Sequence, residues 1–213
     1  MKIALFGISG MIGQRVAQEA LTRGHEVKGI VRDPSRFQST HPQLTVVQGT
    51  LSDPESVAQV VTGYDVVVNA TGPRHDGSDS PQTYLDNAHA LLEGLKRAGV
   101  QRLIVVGGAG SLEIAPGVQL VDTPDFPAAW KAGASGLRDA LVIYRAADLD
   151  WTFFSPAAMI APGERTGTYR TGTDQLLTND KGESNISAED YAVALLDEIE
   201  TPHFIRRRFT VAY

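Results

Sequence analysis

Seven residues near the amino terminus, Gly7-Ile8-Ser9-Gly10-Met11-Ile12-Gly13, put glycine at the first, fourth and seventh positions, between the apolar run Lys2–Phe6 and a stretch of helical period. A turn in that place needs glycine to turn tightly, to let a pyrophosphate approach the backbone, and to let a helix pack closely on a strand. The helix amino terminus then offers free N–H groups and a positive dipole end to phosphates. Gly7, Ser9, Gly10, Met11, Ile12 and Gly13 are therefore read as a nucleotide-phosphate site. The end of the next apolar run selects the nucleotide. An Asp or Glu there accepts hydrogen bonds from ribose hydroxyls, as NAD requires. This chain instead has Val31-Arg32-Asp33-Pro34-Ser35-Arg36, with Arg32 19 residues beyond Gly13. The planar guanidinium of Arg32, with Arg36 as a second donor, suits a 2′-phosphate, so NADP is expected and NAD is the alternative. The structural alternative for Arg32 is a strand cap or a pair with Asp33.

The elements that must hold this loop follow from period. Ile12, Val16 and Ala20 recur every four residues up to Arg23-Gly24, an amphipathic helix with a glycine stop. Strands are expected at 27–31, 44–48, 65–69, 103–106 and 151–154, and helices at 54–61, 81–98, 128–147 and 188–199. Ser187 is expected to cap the last helix, with Asp190 three residues on. Phe209–Ala212 is read as a closing strand. Strands alternating with helices, each strand a continuous apolar run, describe an α/β fold of Rossmann type, doubly wound around a mostly parallel sheet. Residues 162–184, rich in Gly and Thr, carry no clear period, and 155–185 is read as a small carboxyl-terminal excursion on the substrate side of a single domain, 1–213.

Composition narrows the class. The chain has 213 residues, 42% of them hydrophobic, no cysteine and a net charge of −6. That length suits one domain. Without cysteine there is no disulfide framework, thiolate metal site or cysteine nucleophile. The acidic balance argues against a nucleic-acid partner, and the basic run Arg206-Arg207-Arg208 is read as a solvated edge strand or a salt-bridged face. No apolar stretch is long enough for a signal-peptide core or a membrane span, so a cytoplasmic protein without membrane partners is expected. The histidines, His25, His41, His75, His89 and His203, lack metal-ligand spacing, and no metal is expected. His75, in the loop 73–77, is the one placed to meet a substrate. Glycine, at 21 residues, is in excess of usual composition.

The loop, together with Val31-Arg32-Asp33-Pro34, Gly49-Thr50-Leu51-Ser52-Asp53, Asn69-Ala70-Thr71-Gly72, Val105-Val106-Gly107-Gly108-Ala109-Gly110-Ser111-Leu112, Asp150-Trp151-Thr152, Ser155-Pro156 and Ser187-Ala188-Glu189-Asp190-Tyr191-Ala192, resembles the atypical short-chain dehydrogenase/reductase superfamily. The similarity is to its NAD(P)H-binding, NmrA-like branch, which includes flavin-reductase-like and biliverdin-reductase-B-like proteins, and it covers essentially the whole chain. The resemblance implies that Thr50 and Leu51 flank the adenine, although the family often has Asp where Thr50 stands. It implies that Ala70, Thr71 and Gly72 face the ribose and pyrophosphate, and that Gly107 and Gly108 lie under the nicotinamide.

Ordinary members of the superfamily use a Tyr and a Lys four residues later, the lysine lowering the phenol pKa so that a proton can accompany hydride transfer. No Tyr-x-x-x-Lys exists in this chain. Counting back from Thr152 to where relatives keep a lysine lands on apolar Leu137, while Lys131 is six positions out of place and is read as a surface lysine. Ser111 is the remaining catalytic candidate, standing where the superfamily's serine would stand; otherwise it is a turn or capping residue. Met159 and Phe154 are possible pocket residues, the phenylalanine being more naturally core. Three readings follow: an NAD(P)H-dependent oxidoreductase passing hydride to a small-molecule acceptor such as a flavin or quinone; a non-catalytic NmrA-like redox sensor; and, least favoured because such enzymes rely on the Tyr/Lys pair, a sugar-nucleotide epimerase or dehydratase. The sequence fixes no oligomeric state.

Overall fold

The structure, a computed structural model, describes residues 1–37, 41–73, 78 and 80–213, with Arg36 described by its backbone alone. In chain order the main elements are β1 (Lys2–Phe6), α1 (Met11–Thr22), β2 (Glu26–Val31), β3 (Leu44–Gln48), α2 (Pro54–Val61), β4 (Val66–Asn69), α3 (Pro81–Ala98), β5 (Arg102–Val106), β6 (Glu113–Ala115), β7 (Val118–Gln119), α4 (Ala128–Arg145), β8 (Asp150–Ser155), β9 (Met159–Ala161), β10 (Arg170–Gly172), β11 (Asn185–Ser187), α5 (Ala188–Glu200) and β12 (Arg207–Ala212).

Eight strands form one sheet in the order β10-β12-β8-β5-β4-β1-β2-β3. Every pairing in it is parallel except β10 with β12. The fold is α/β and Rossmann-like, with five helices flanking the sheet. Helices α1 and α5 pack together on one face; α2, α3 and α4 cover the other. Alternation of side chains along each strand divides the core accordingly. Ile3, Leu5, Phe154, Phe209 and Tyr191 pack under α1 and α5, where Phe154 stacks between Tyr191 and Phe209 with ring centroids 4.0 Å apart on both sides. Ala4, Phe6, Val105, Phe153 and Tyr144 pack under the other three helices. Strands are added in opposite directions from β1 and β4, which makes the gap between their carboxyl ends the topological switch point where such sheets bind ligands.

Helix ends obey local chemistry. Asp53 caps α2 by accepting from the backbone N–H groups of Glu55 and Ser56, and Ser187 caps α5 by accepting from that of Asp190 at 2.9 Å. Gly99 closes α3 in the left-handed region at φ 71°.

In the carboxyl-terminal third, β8, α5 and β12 lie where expected, and the segment between β8 and α5 holds strands that were not expected. The stretch without period, 162–184, contains β10 and is flanked by β9 and β11; β9 pairs parallel with β11, and β10 covers the outer side of β12. Strands of three residues, Met-Ile-Ala, Arg-Thr-Gly and Asn-Ile-Ser, are too short to show alternation in sequence. The segment leading into β10 is stitched to α1 and α5. Gly163 N–H donates to Glu189 at 2.7 Å, Arg165 donates twice to Glu19 at 2.8 Å, and Thr166 and Gly167 donate to Asp190. The basic run at 206–208 is salt-bridged, as the second alternative had it: Arg206 pairs with Asp148 and Arg208 with Asp174. Because β10 lies outside it, β12 is interior, and Arg208 is only 7% exposed.

Candidate functional site

The glycine turn joins β1 to α1 at the switch point. Gly7 has φ 80°, and a Cβ there would lie 2.6 Å from the carbonyl carbon and oxygen of Ala70 just beyond β4. A Cβ on Gly13 would lie 2.1 Å from the Gly7 carbonyl oxygen. The turn is closed by a hydrogen bond from Gly10 N–H to Gly7 O at 3.0 Å. Gly10 caps α1 without a side-chain hydrogen bond, and the first turn carries no acidic residue. The amides of Met11, Ile12 and Gly13 therefore meet neither a capping oxygen nor a competing carboxylate. Ser9 is exposed beside them, its carbonyl accepting from Gln14. This backbone cradle fits a dinucleotide pyrophosphate.

Around it lie the other carboxyl ends. Arg32 follows β2, exposed, and among the described residues its guanidinium makes no ion pair; Asp33 instead accepts from the backbone and hydroxyl of Ser35. The Arg36 side chain falls outside the described residues. Thr50 is half-buried after β3, its N–H donating to Ser56 and its hydroxyl bonded to Ser52, while Leu51 is buried. Past β4, Ala70 is buried, Thr71 is half-buried and Gly72 is exposed with open space beside it. Asn69 Oδ1 accepts both the N–H and the hydroxyl of Thr71, at 3.1 and 2.7 Å, which fixes the start of this loop. His75 lies outside the described residues.

At the end of β5 close packing explains the glycines. A Cβ on Gly107 would come within 2.1 Å of the Phe153 ring, and one on Gly108 within 3.2 Å of Leu137. Gly110 abuts Ala134 of α4. The turn ends at Ser111, which is 3% exposed and whose backbone carbonyl and Oγ both accept from Arg208 Nη1 at 2.9 Å. Asp174 accepts from Nε of the same guanidinium at 2.9 Å and from its Nη2.

A narrow cavity opens between β4, β5, α3 and α4, lined by Asn69, Thr71, Tyr84, Val105, Leu137 and Tyr144 among others. Burial holds the Tyr144 phenol well above the ordinary tyrosine range, and the neighbouring Asn69 side chain offsets this only in part. Sequence reading picked out Asn69 only within a motif and did not identify Tyr84, Tyr144 or Arg208 as site residues. Tyr144 was detectable, since it continues the buried row Leu137, Ala140, Leu141 along α4. Arg208 was not, because nothing local marks β12 as interior. Lys131 is exposed in the first turn of α4, and Phe154 is fully buried in the aromatic stack while Met159 is exposed. No group of metal-ligating side chains occurs among the described residues, and no helix among them is long and apolar enough to cross a membrane.

The glycine cradle, the switch point and the glycine turn after β5 are matched by a family profile described as NAD(P)H-binding over residues 7–202. The chain belongs to this NAD(P)H-binding family. Within it, the chain is 40% identical over 215 residues to the uncharacterised protein YwnB of Bacillus subtilis, covering 99% of this chain and 98% of that one. A solved structure from Burkholderia pseudomallei, provisionally named as an exported protein, is 50% identical with a TM-score of 0.90 over 100% of both chains. A Streptococcus pneumoniae structure, provisionally named as an NADH-flavin reductase, is 36% identical with a TM-score of 0.85, over 100% of this chain and 99% of that one. Membership in the NAD(P)H-binding family and the neighbour named as an NADH-flavin reductase support an oxidoreductase.

Proposed function

We propose that the chain is an NAD(P)H-dependent reductase that passes hydride to a flat small-molecule acceptor, a flavin or a quinone, without a Tyr/Lys proton relay. The observation that carries this reading is the face α4 turns toward the β5 glycine turn. Ala134 meets Gly110 and Leu137 meets Gly108, so the face where a relay lysine would reach the nicotinamide is apolar. A flavin or quinone suits such a site because its reduced form can take protons from water.

When bound, the cofactor supplies the hydride from its reduced nicotinamide. The chain's part is to hold and orient. Gly7, Ser9, Gly10, Met11, Ile12 and Gly13 would bind the pyrophosphate, and Arg32 with Arg36 the 2′-phosphate, favouring NADP over NAD. Thr50 and Leu51 would flank the adenine, and Ala70, Thr71 and Gly72 the ribose. The backbone of Gly107 and Gly108 would lie under the nicotinamide, with Ser111 beside it as hydrogen-bonding partner. Exposed Met11, Ile114, Val118, Trp130 and Met159 all lie in segments that follow strand carboxyl ends or begin helices beside them, and would offer apolar contact to a planar acceptor. In this reading 155–185 forms the substrate side.

The test is the rate of NADPH absorbance loss with free FMN, FAD and a simple quinone. Turnover well above the buffer rate supports the reading; none with any acceptor rejects it. The same apolar face is also compatible with a non-catalytic redox sensor, which requires different affinities for the oxidised and reduced cofactor. Titration with both forms separates the two.

A further inference from the structure

The ion pair beneath the β5 turn has no part in the relay-free scheme above, yet its guanidinium is buried on β12, an interior strand next to the sheet edge. Phe209 and Val211 of β12 face the α1/α5 layer, so Arg208 faces the opposite side, in register with Phe153 of β8. Its side chain is 4% exposed, and three of its nitrogens are engaged, Nη1 by Ser111 and Nε and Nη2 by Asp174. A buried guanidinium is costly unless every donor direction is met, and here the partners come from two distant segments. Asp174 belongs to the stretch between β10 and β11. That stretch is fastened to the segment after Ser111, with Glu113 N–H donating to Asp174 O and Leu176 N–H to Glu113 O, both at 2.8 Å.

The chemistry of the pair sets a direction. A guanidinium only donates, so Ser111 Oγ is the acceptor in its 2.9 Å contact with Arg208. The hydroxyl proton of Ser111 remains to be donated, and no acceptor for it occurs among the described residues. Ser111 is thereby a nearly buried, polarised donor at the end of the turn assigned to the nicotinamide.

Resting on the reductase reading, we propose that Arg208, braced by Asp174, is a positioning residue that fixes Ser111 as a one-directional hydrogen-bond donor to a carbonyl oxygen in the redox site. That oxygen belongs to the nicotinamide carboxamide or to the acceptor. No proton leaves Ser111; the contribution is orientation, and it links the segment carrying Asp174 to the cofactor turn.

The experiment is a double-mutant cycle on Ser111→Ala and Arg208→Met, with Arg208→Lys as the conservative variant, each checked by thermal unfolding. NADPH dissociation constants and kcat and KM for the acceptor are measured in all. Each single substitution is expected to reduce kcat/KM or NADPH affinity by about tenfold, and the double variant to lose less than about twofold more. Arg208→Lys is expected to recover part of the loss. A carboxamide target raises the NADPH dissociation constant with acceptor KM unchanged; an acceptor target does the reverse. If Arg208→Met does not fold, Ser111→Ala and Arg208→Lys carry the cycle. Independent, multiplying effects overturn the proposal, as does Ser111→Ala with wild-type constants. If the wild-type protein reduces no acceptor, the reductase reading fails by itself. The proposal is then decided by NADPH affinity: equal weakening in the single variants supports it, and unchanged affinity overturns it.

Discussion

The Gly7 carbonyl oxygen stands where a Cβ on Gly13 would be, 2.1 Å away, so the two glycines that begin and end the phosphate loop are required by each other as well as by a ligand. Tight closure brings the first turn of α1 against β1 and aims its amides at the switch point between β1 and β4. Phosphate binding and helix-on-strand packing are one geometric requirement here.

Gly13→Ala should accordingly damage both. The added methyl must displace backbone rather than a flexible side chain, so thermal stability should fall and NADPH affinity by more than about tenfold, read by fluorescence titration. Gly72→Ala is the contrast. Its Cβ would meet open space and its φ is not in the left-handed region, so stability should change by less than about 0.5 kcal/mol. Equal tolerance at both positions would contradict the account.

Arg32→Ala tests cofactor choice. The side chain is exposed, so unfolding should be unaffected. A charge-assisted bond to a 2′-phosphate is worth roughly 1.5–3 kcal/mol, so NADPH affinity should drop about 10- to 100-fold while NADH affinity stays near its starting value. A parallel loss for both cofactors would remove Arg32 from the 2′-phosphate site.

Most of the parallel core was legible because its strands are buried on both faces and read as unbroken apolar runs: β1, β4 and β5 are buried almost throughout. The phosphate loop was legible because its glycines answer to steric limits that sequence spacing records. In the last third, β8, α5 and β12 were legible as well, and the segment between β8 and α5 was not. β10 is recognisable only through β12, and β12 becomes interior only because β10 covers it, through a pairing between residues about forty positions apart. Ser111 illustrates the division. Its place after the β5 turn was readable, whereas its guanidinium partner arrives from the end of the chain.

Glu19 gives an acid-side prediction. It is 6% exposed on α1, and the hydrogen bond from Arg165, opposed by burial and reinforced by Arg23, holds its carboxyl below the usual carboxylate range. A depressed folded value means that the stabilisation is complete above the ordinary glutamate value and is lost as pH falls through the folded one. Glu19→Gln should cost about 2 kcal/mol near neutral pH and progressively less in acid, measured by denaturant unfolding at several pH values. A pH-independent difference would show that the charge is not responsible.

Tyr144 gives the alkaline counterpart and bears on mechanism. Burial raises its phenol well above the ordinary range, so the folded protein keeps that proton where the unfolded chain releases it. Its contribution is therefore complete below the ordinary tyrosine value of about 10 and declines as pH rises beyond it. Tyr144→Phe should lower stability by roughly 1 kcal/mol at neutral pH and flatten the alkaline fall. It should leave the pH dependence of acceptor reduction unchanged between about 6 and 9, because a phenol that stays protonated throughout that window adds no titration limb. A rate limb in that window that disappears in Tyr144→Phe would instead make Tyr144 an acid–base group and return a proton relay to α4.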